Sequence, residues 1–247
     1  MNTNGNLYTV IYTTFVVIVV AAVLAFVSQS LKSKQEANEK ADTISQMLTA
    51  AQFGTKAEFQ AMGNAAVLET YGNEIASAFT VDANGAKVAD LDLASREVFS
   101  PKQLKAQNYN IRDGKELTLP VFIFKNKVTV VPVYGAGLWG PVWGYLALDP
   151  DLQTIAGAYF DHESETPGLG GKIKDDPAFR AQFKGKSIDF NDPKAAFSIV
   201  KGGAPAGKAN AIDAISGATM TSKGLDEAIN VWIDAYKSYL TKNNPEE

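Results

Sequence analysis

Asp213-Ala-Ile-Ser-Gly-Ala-Thr219, running into Met-Thr-Ser and then an apolar-striped segment, gathers the side chains of this sequence best suited to chemistry. Hydroxyls and a glycine stand where a helix is about to begin. The first turn of a helix leaves its backbone N–H groups without internal partners, and the aligned peptide dipoles make that end positive. A phosphate suits such a place. Ser and Thr are also ordinary helix caps, so Ser-Gly-Ala-Thr alone reads equally well as a plain loop into a helix. Gly135-Ala-Gly-Leu-Trp-Gly-Pro-Val-Trp-Gly144 packs four glycines and two tryptophans into ten residues. Glycine lets backbone approach a flat ligand, and Trp139 and Trp143 offer stacking faces. The plainer reading is a tight turn between strands, with its tryptophans in the core. His162-Glu-Ser-Glu-Thr-Pro-Gly-Leu-Gly-Gly171 is a second loop of that character, and its Pro and glycines also serve as turn residues. His162 is better suited there to a local hydrogen bond than to a metal.

Those passages need a scaffold. From Ser222, apolar residues recur at Leu225, Ala228, Ile229, Trp232, Ile233, Tyr236 and Leu240, a helical stripe that would dock on a core and fix Thr219 at its N-terminal end. Strand signals fall at 78–81, 87–88, 117–124, 128–134, 144–148, 154–160 and 195–200, with turns at Asp82–Gly85 and Lys125–Lys127. Helices are expected over 34–53, ending near Gly54, over 58–68, and over 176–183, where Pro177 suits a first turn. Strands and helices do not alternate strictly, which predicts an α+β fold with a mostly antiparallel sheet and a C-terminal helix.

Composition removes several function classes. The 247 residues carry 23 basic and 27 acidic side chains, a net charge of −4, with no basic cluster of the kind that binds nucleic acid. No cysteine is present, which excludes disulfides, thiolate metal or iron–sulfur sites and thiol nucleophiles. One histidine makes neither a His-based metal cage nor a Ser–His–Asp arrangement. No catalytic residue and no metal ligand is therefore assigned. Leu7 to Val27 is free of charge, Pro and Gly. At 1.5 Å per residue it covers a hydrocarbon core of about 30 Å, and Tyr8 and Tyr12 suit the interface. No Lys or Arg precedes it, so it reads as a retained anchor rather than a cleaved leader. The resulting organisation is a tail at 1–6, a membrane span at 7–27, a helical stalk at 28–54 and one domain at 55–247. Lys32, Lys34 and Lys40 after the span favour a cytoplasmic domain by the positive-inside rule.

Taken in order, Gly-Leu-Trp-Gly with Gly144-Tyr-Leu-Ala-Leu148 downstream, Glu165-Thr-Pro-Gly-Leu-Gly170, and Ser216-Gly-Ala-Thr219 leading into a terminal helix resemble the covalent FMN-binding family typified by the C-type subunits of sodium-translocating NADH:quinone oxidoreductases. The resemblance spans the anchor and three motifs between Gly135 and Ser222. The related G-type subunit of Rnf complexes is shorter ahead of these motifs and usually lacks Gly-Leu-Trp. One departure is the pair Glu163-Ser164 between His162 and Glu165, where the family often has a single residue.

The resemblance implies FMN joined by its phosphate to Thr219, the last residue of a D-x-x-(S/T)-G-A-T pattern read by a flavin transferase, with Asp213, Ser216, Gly217 and Ala218 completing it. Thr221 is the rival attachment residue. Trp139 and Leu169 are implied to flank the isoalloxazine ring, and Thr166 and Gly168 to supply loop contacts. A further implication is a single-electron relay within a membrane complex of B-, D-, E- and F-type subunits, with NADH reacting elsewhere and the domain on the periplasmic face of the inner membrane. The alternatives are a G-type Rnf subunit, a free-standing anchored flavin reductase, or an anchored adaptor with no cofactor.

Overall fold

A computed structural model describes residues 5–192 and 195–244. Most of the tail expected over 1–6 lies outside them. The chain divides into two compact units, Met1–Lys40 and Ala41–Glu247. Helix α1 runs Asn6–Ala50 without a break, merging the expected span with the helix expected over 34–53. In the first unit α1 is long and apolar enough to cross a membrane, and its large apolar side chains from Leu7 to Leu31 stand exposed.

The second unit contains the last turns of α1, which contribute Ile44, Met47 and Leu48 to a buried cluster. Two short helices follow, α2 (Lys56–Met62) and α3 (Asn64–Glu74). The single helix expected over 58–68 is divided at Gly63, whose φ of +80° no helix accommodates. Then come β1 (Ile75–Val81), β2 (Lys87–Asp90), α4 (Pro101–Asp113), β3 (Leu119–Phe124), β4 (Thr129–Ala136), β5 (Pro141–Leu148) and β6 (Ile155–His162). These strands form one antiparallel sheet in the order β2-β1-β3-β4-β5-β6. Beyond it lie α5 (Lys172–Asp175), α6 (Pro177–Ala181), a parallel pair β7 (Ser198–Val200) and β8 (Ala211–Asp213), and the long α7 (Thr219–Lys242).

Both faces of the sheet are covered, which explains the nearly unbroken apolar runs of β4 and β5. Successive strand residues point to opposite faces. Val131, Val133, Leu146 and Leu148 accordingly pack with Leu225, Ile229, Trp232 and Tyr236 of α7. Val130, Tyr145 and Ala147 pack with α1, α2 and α3 on the other side. The sheet is thus the middle of three layers. α7 is held laterally as well: Trp232 Nε1 donates to Asn108 Oδ1 of α4 at 3.1 Å, and the Tyr236 hydroxyl donates to Pro120 O at 2.6 Å.

Candidate functional site

The site is built where the β4–β5 turn, the loop leaving β6 and the first turn of α7 converge. β4 and β5 pair in unbroken register from Thr129↔Leu148 to Ala136↔Pro141, and Gly137 N donates to Gly140 O at 2.8 Å to close the turn carrying Leu138 and Trp139. α7 lies directly against β4. A Cβ on Gly224 would stand 2.0 Å from Ala136 O, and one on Gly135 would stand 2.6 Å from Ala228 Cβ.

Thr219 is the first residue of α7 and is exposed. Ahead of it the chain closes on itself. Ala218 N donates to Ile215 O at 3.1 Å, Ser222 N to Ala218 O at 2.9 Å, and Ile215 N to the buried Ser222 Oγ at 3.1 Å. Gly217 makes the bend possible with φ +80°. The outcome presents Ser216, Gly217 and Thr219 to solvent and buries Ala218 and Ile215. The N-cap is Ala218, which has no side-chain oxygen, and no side chain caps this end. The opening N–H groups of α7 therefore keep their capacity to bind an anion. A phosphate on Thr219 Oγ fits this arrangement.

Thr221 has a different fate. It is 1% exposed, and its hydroxyl donates to Glu165 Oε2 at 2.6 Å. The other oxygen of Glu165, itself 4% exposed, accepts from Trp139 N at 2.9 Å. One carboxyl thus joins all three passages. Glu165 N in turn donates to His162 Nδ1 at 3.1 Å, the local role expected of that imidazole. Behind it, Asp161 accepts from His162 N at 2.8 Å and from Gln46 Nε2 at 3.0 Å, and pairs with Lys174 at 2.8 Å. Gln46 also accepts from Trp143 Nε1 at 3.3 Å.

The remaining residues divide. Trp139 is 66% exposed, and Leu138, Leu169 and Met220 are exposed too, an apolar rim about the Thr219 turn. Leu169 lies over Gly217: a Cβ there would be 3.0 Å from Leu169 Cδ2. Thr166 and Gly168 are exposed in the turn that Thr166 O closes by accepting from Leu169 N and Gly171 N. An open cavity of about 590 Å³ adjoins the Trp139 turn, with Tyr109, Arg112, Tyr134 and Glu227 in its walls. Burial, with the nearby Glu163 charge, raises the Tyr134 phenol above its ordinary range. Trp143 is partly buried against the core, in line with the plainer reading of that turn, and its Nε1 donates to Gln46. Asp213 is exposed, and its Oδ1 accepts from Ala204 N at 2.7 Å, which ties the 203–205 bend rather than the Thr219 turn.

Residues 137–234 match the FMN-binding domain family. The chain is 31% identical over 224 residues to the C-type subunit of the Na(+)-translocating NADH-quinone reductase of Vibrio vulnificus, spanning 87% of this chain and 86% of that protein. Against the same subunit from Haemophilus ducreyi it is 31% identical over 242 residues, covering 91% and 89%. Among solved structures, the C-type subunit of the Na(+)-translocating NADH-quinone reductase from Parabacteroides distasonis superposes with a TM-score of 0.69 at 35% identity, covering 85% of this chain and 97% of that one. NqrC of Shewanella oneidensis superposes with 0.65 at 26% identity, covering 84% and 98%.

Proposed function

The chain belongs to the NqrC family, the C-type subunits of Na(+)-translocating NADH-quinone reductases, and on that premise we propose that Thr219 is the residue that carries its FMN, through a phosphoester. The protein is an electron-carrier flavin subunit of a membrane-bound, multi-subunit NADH-quinone reductase. The observation that carries the attachment is the contrast between two threonines. Thr219 is an exposed residue on an uncapped helix turn, whereas Thr221 is buried with its hydroxyl already donated to Glu165.

When bound, FMN supplies the capacity to accept electrons and pass them on. The chain's own residues hold it. The first N–H groups of α7 would receive the phosphate beside the exposed Ser216 and Gly217, and Trp139 and Leu169 would flank the ring, with Thr166 and Gly168 in the adjoining loop. Apolar neighbours of this kind would disfavour a charged reduced ring and so tune its potential. A phosphoester leaves the ring untouched and prevents loss of the cofactor by dissociation. The exposed motif around Asp213 and Ser216 suits recognition by a flavin transferase.

We further propose that residues 7–27 cross the inner membrane with the domain on the periplasmic side, among B-, D-, E- and F-type subunits. Electrons would arrive from an iron centre in the membrane subunits and leave for a second covalent FMN in the B-type subunit. No Asp, Glu, Lys, Arg or His lies in residues 7–27, so this span alone offers no ion path. Co-production with a flavin transferase followed by intact-mass measurement tests the attachment. An added mass of FMN less one water is expected, lost in Thr219→Val and kept in Thr221→Val. Loss in Thr221→Val with retention in Thr219→Val would refute it.

A further inference from the structure

Glu165 has no role in electron relay read from sequence, yet it is buried and both oxygens of its carboxyl are bonded. Both its oxygens act as acceptors, one for Trp139 N and one for the Thr221 hydroxyl, the pattern of an acceptor-only carboxylate. Glycines wrap it. A Cβ on Gly137 would stand 2.4 Å from Oε1, and one on Gly170 would stand 2.3 Å from Oε2 and 2.6 Å from Thr221 Oγ1. These two glycines, one in each glycine-rich loop, make room for a protein carboxylate and not for a ligand. Among the described residues Glu165 makes no ion pair. A buried carboxylate satisfied only by dipoles is costly to place, so its position calls for a reason.

We propose that Glu165 is the positioning residue of the flavin site. Its carboxylate bolts the main chain of Trp139 to the helix turn that bears Thr219, fixing the aromatic wall relative to the attachment point. It also sets one buried negative charge at the base of the site, which opposes electron uptake by the cofactor. This role rests on the FMN reading above and deepens it. Trp139 and Thr221 lie on segments far apart in sequence, and among the described residues Glu165 is the side chain that hydrogen-bonds both.

The test uses the full chain, with and without co-production of a flavin transferase. In the flavin-free chain, Glu165→Ala removes both bonds, and amide exchange over residues 137–140 should accelerate roughly tenfold or more, the consequence of losing a charge-assisted hydrogen bond. Glu165→Gln keeps the side-chain length and an oxygen for Trp139 N while removing the charge. It should retain the covalent adduct and most of the exchange protection. The midpoint potential of its bound flavin should shift to a more positive value, a change that a purely structural residue would not produce. Loaded Glu165→Gln with an unshifted potential, or Glu165→Ala with unchanged exchange at 137–140, overturns the proposal. A wild-type chain that carries no adduct overturns instead the flavin reading, and the exchange measurement still decides whether Glu165 is the bolt.

Discussion

At the scale of single residues, the site separates hydroxyls that are available from hydroxyls that are spent. Thr219 and Thr221 look alike in sequence and are two positions apart, but α7 turns one outward and the other into the Glu165 carboxyl. Thr221→Val should therefore keep the flavin adduct while costing about 1–3 kcal/mol in stability, since a buried acceptor loses its donor. Urea denaturation of the flavin-free chain measures it. Gly170→Ala should cost a similar amount, about 1–3 kcal/mol, because its methyl would meet Glu165 Oε2 and Thr221 Oγ1 together. Asp226 gives a pH signature. Burial raises its carboxyl above the ordinary value of 3.8, although Ile199 N donates to it at 2.6 Å. Folding thus favours its protonated form. That contribution is present below pH 3.8 and is lost as pH rises through the raised folded value. Asp226→Asn, which keeps an acceptor for Ile199 N, should raise the melting temperature at neutral pH, with the advantage disappearing below about pH 4. The gain should be no more than about 1 kcal/mol, because the group is partly solvated. Thr219 is singled out in the sequence by its motif's resemblance to the covalent FMN-binding family, since helix-start chemistry alone leaves Thr221 open as well. The burial of Glu165 is not legible there, since a carboxylate in a Pro-Gly loop reads as solvent-facing until the partner segments are brought to it.

At the scale of elements, α7 carries the attachment turn, and an unbroken apolar stripe made it legible in the sequence. What the stripe could not disclose is how closely α7 approaches β4. Gly224 is that contact. Alanine there would gain up to about 1 kcal/mol in helix propensity, yet its methyl would lie 2.0 Å from Ala136 O. The backbone clash should win, so Gly224→Ala is expected to lower the melting temperature and loosen the Trp139 turn. An unchanged or higher melting temperature would contradict the packing. Helix α4 is absent from the sequence-based expectations because its exposed surface is Lys-, Gln- and Asn-rich and only Leu104 and Asn108 are buried. Its ends do carry local signals: Ser100 and Gln103 form a capping box, Pro101 opens the helix and Gly114 closes it. The strands of the central sheet were legible because aliphatic runs bounded by turns leave few alternatives. β8 was not, being a three-residue strand within the motif that begins the Thr219 turn.

At the scale of the whole molecule, the last turns of α1 belong to the second compact unit, because Ile44, Met47, Leu48 and Ala50 have no exposed surface. A chain beginning at Lys34 should therefore be soluble without detergent and melt cooperatively. One beginning at Thr55 should aggregate or lose the cooperative transition, since each missing buried side chain of that size is worth about 2–5 kcal/mol. Similar melting of the two would show that the α1 layer is dispensable. The assignment of the flavin to Thr219 is narrower and more exposed to refutation. Tryptic mapping of the full chain co-produced with a flavin transferase, with fragmentation of the peptide 209–223, reads the attachment atom by position. FMN is expected on Thr219 alone, with Ser216, Thr221 and Ser222 unmodified. Flavin on Thr221, or an unmodified peptide from a chain that the transferase has met, would contradict it.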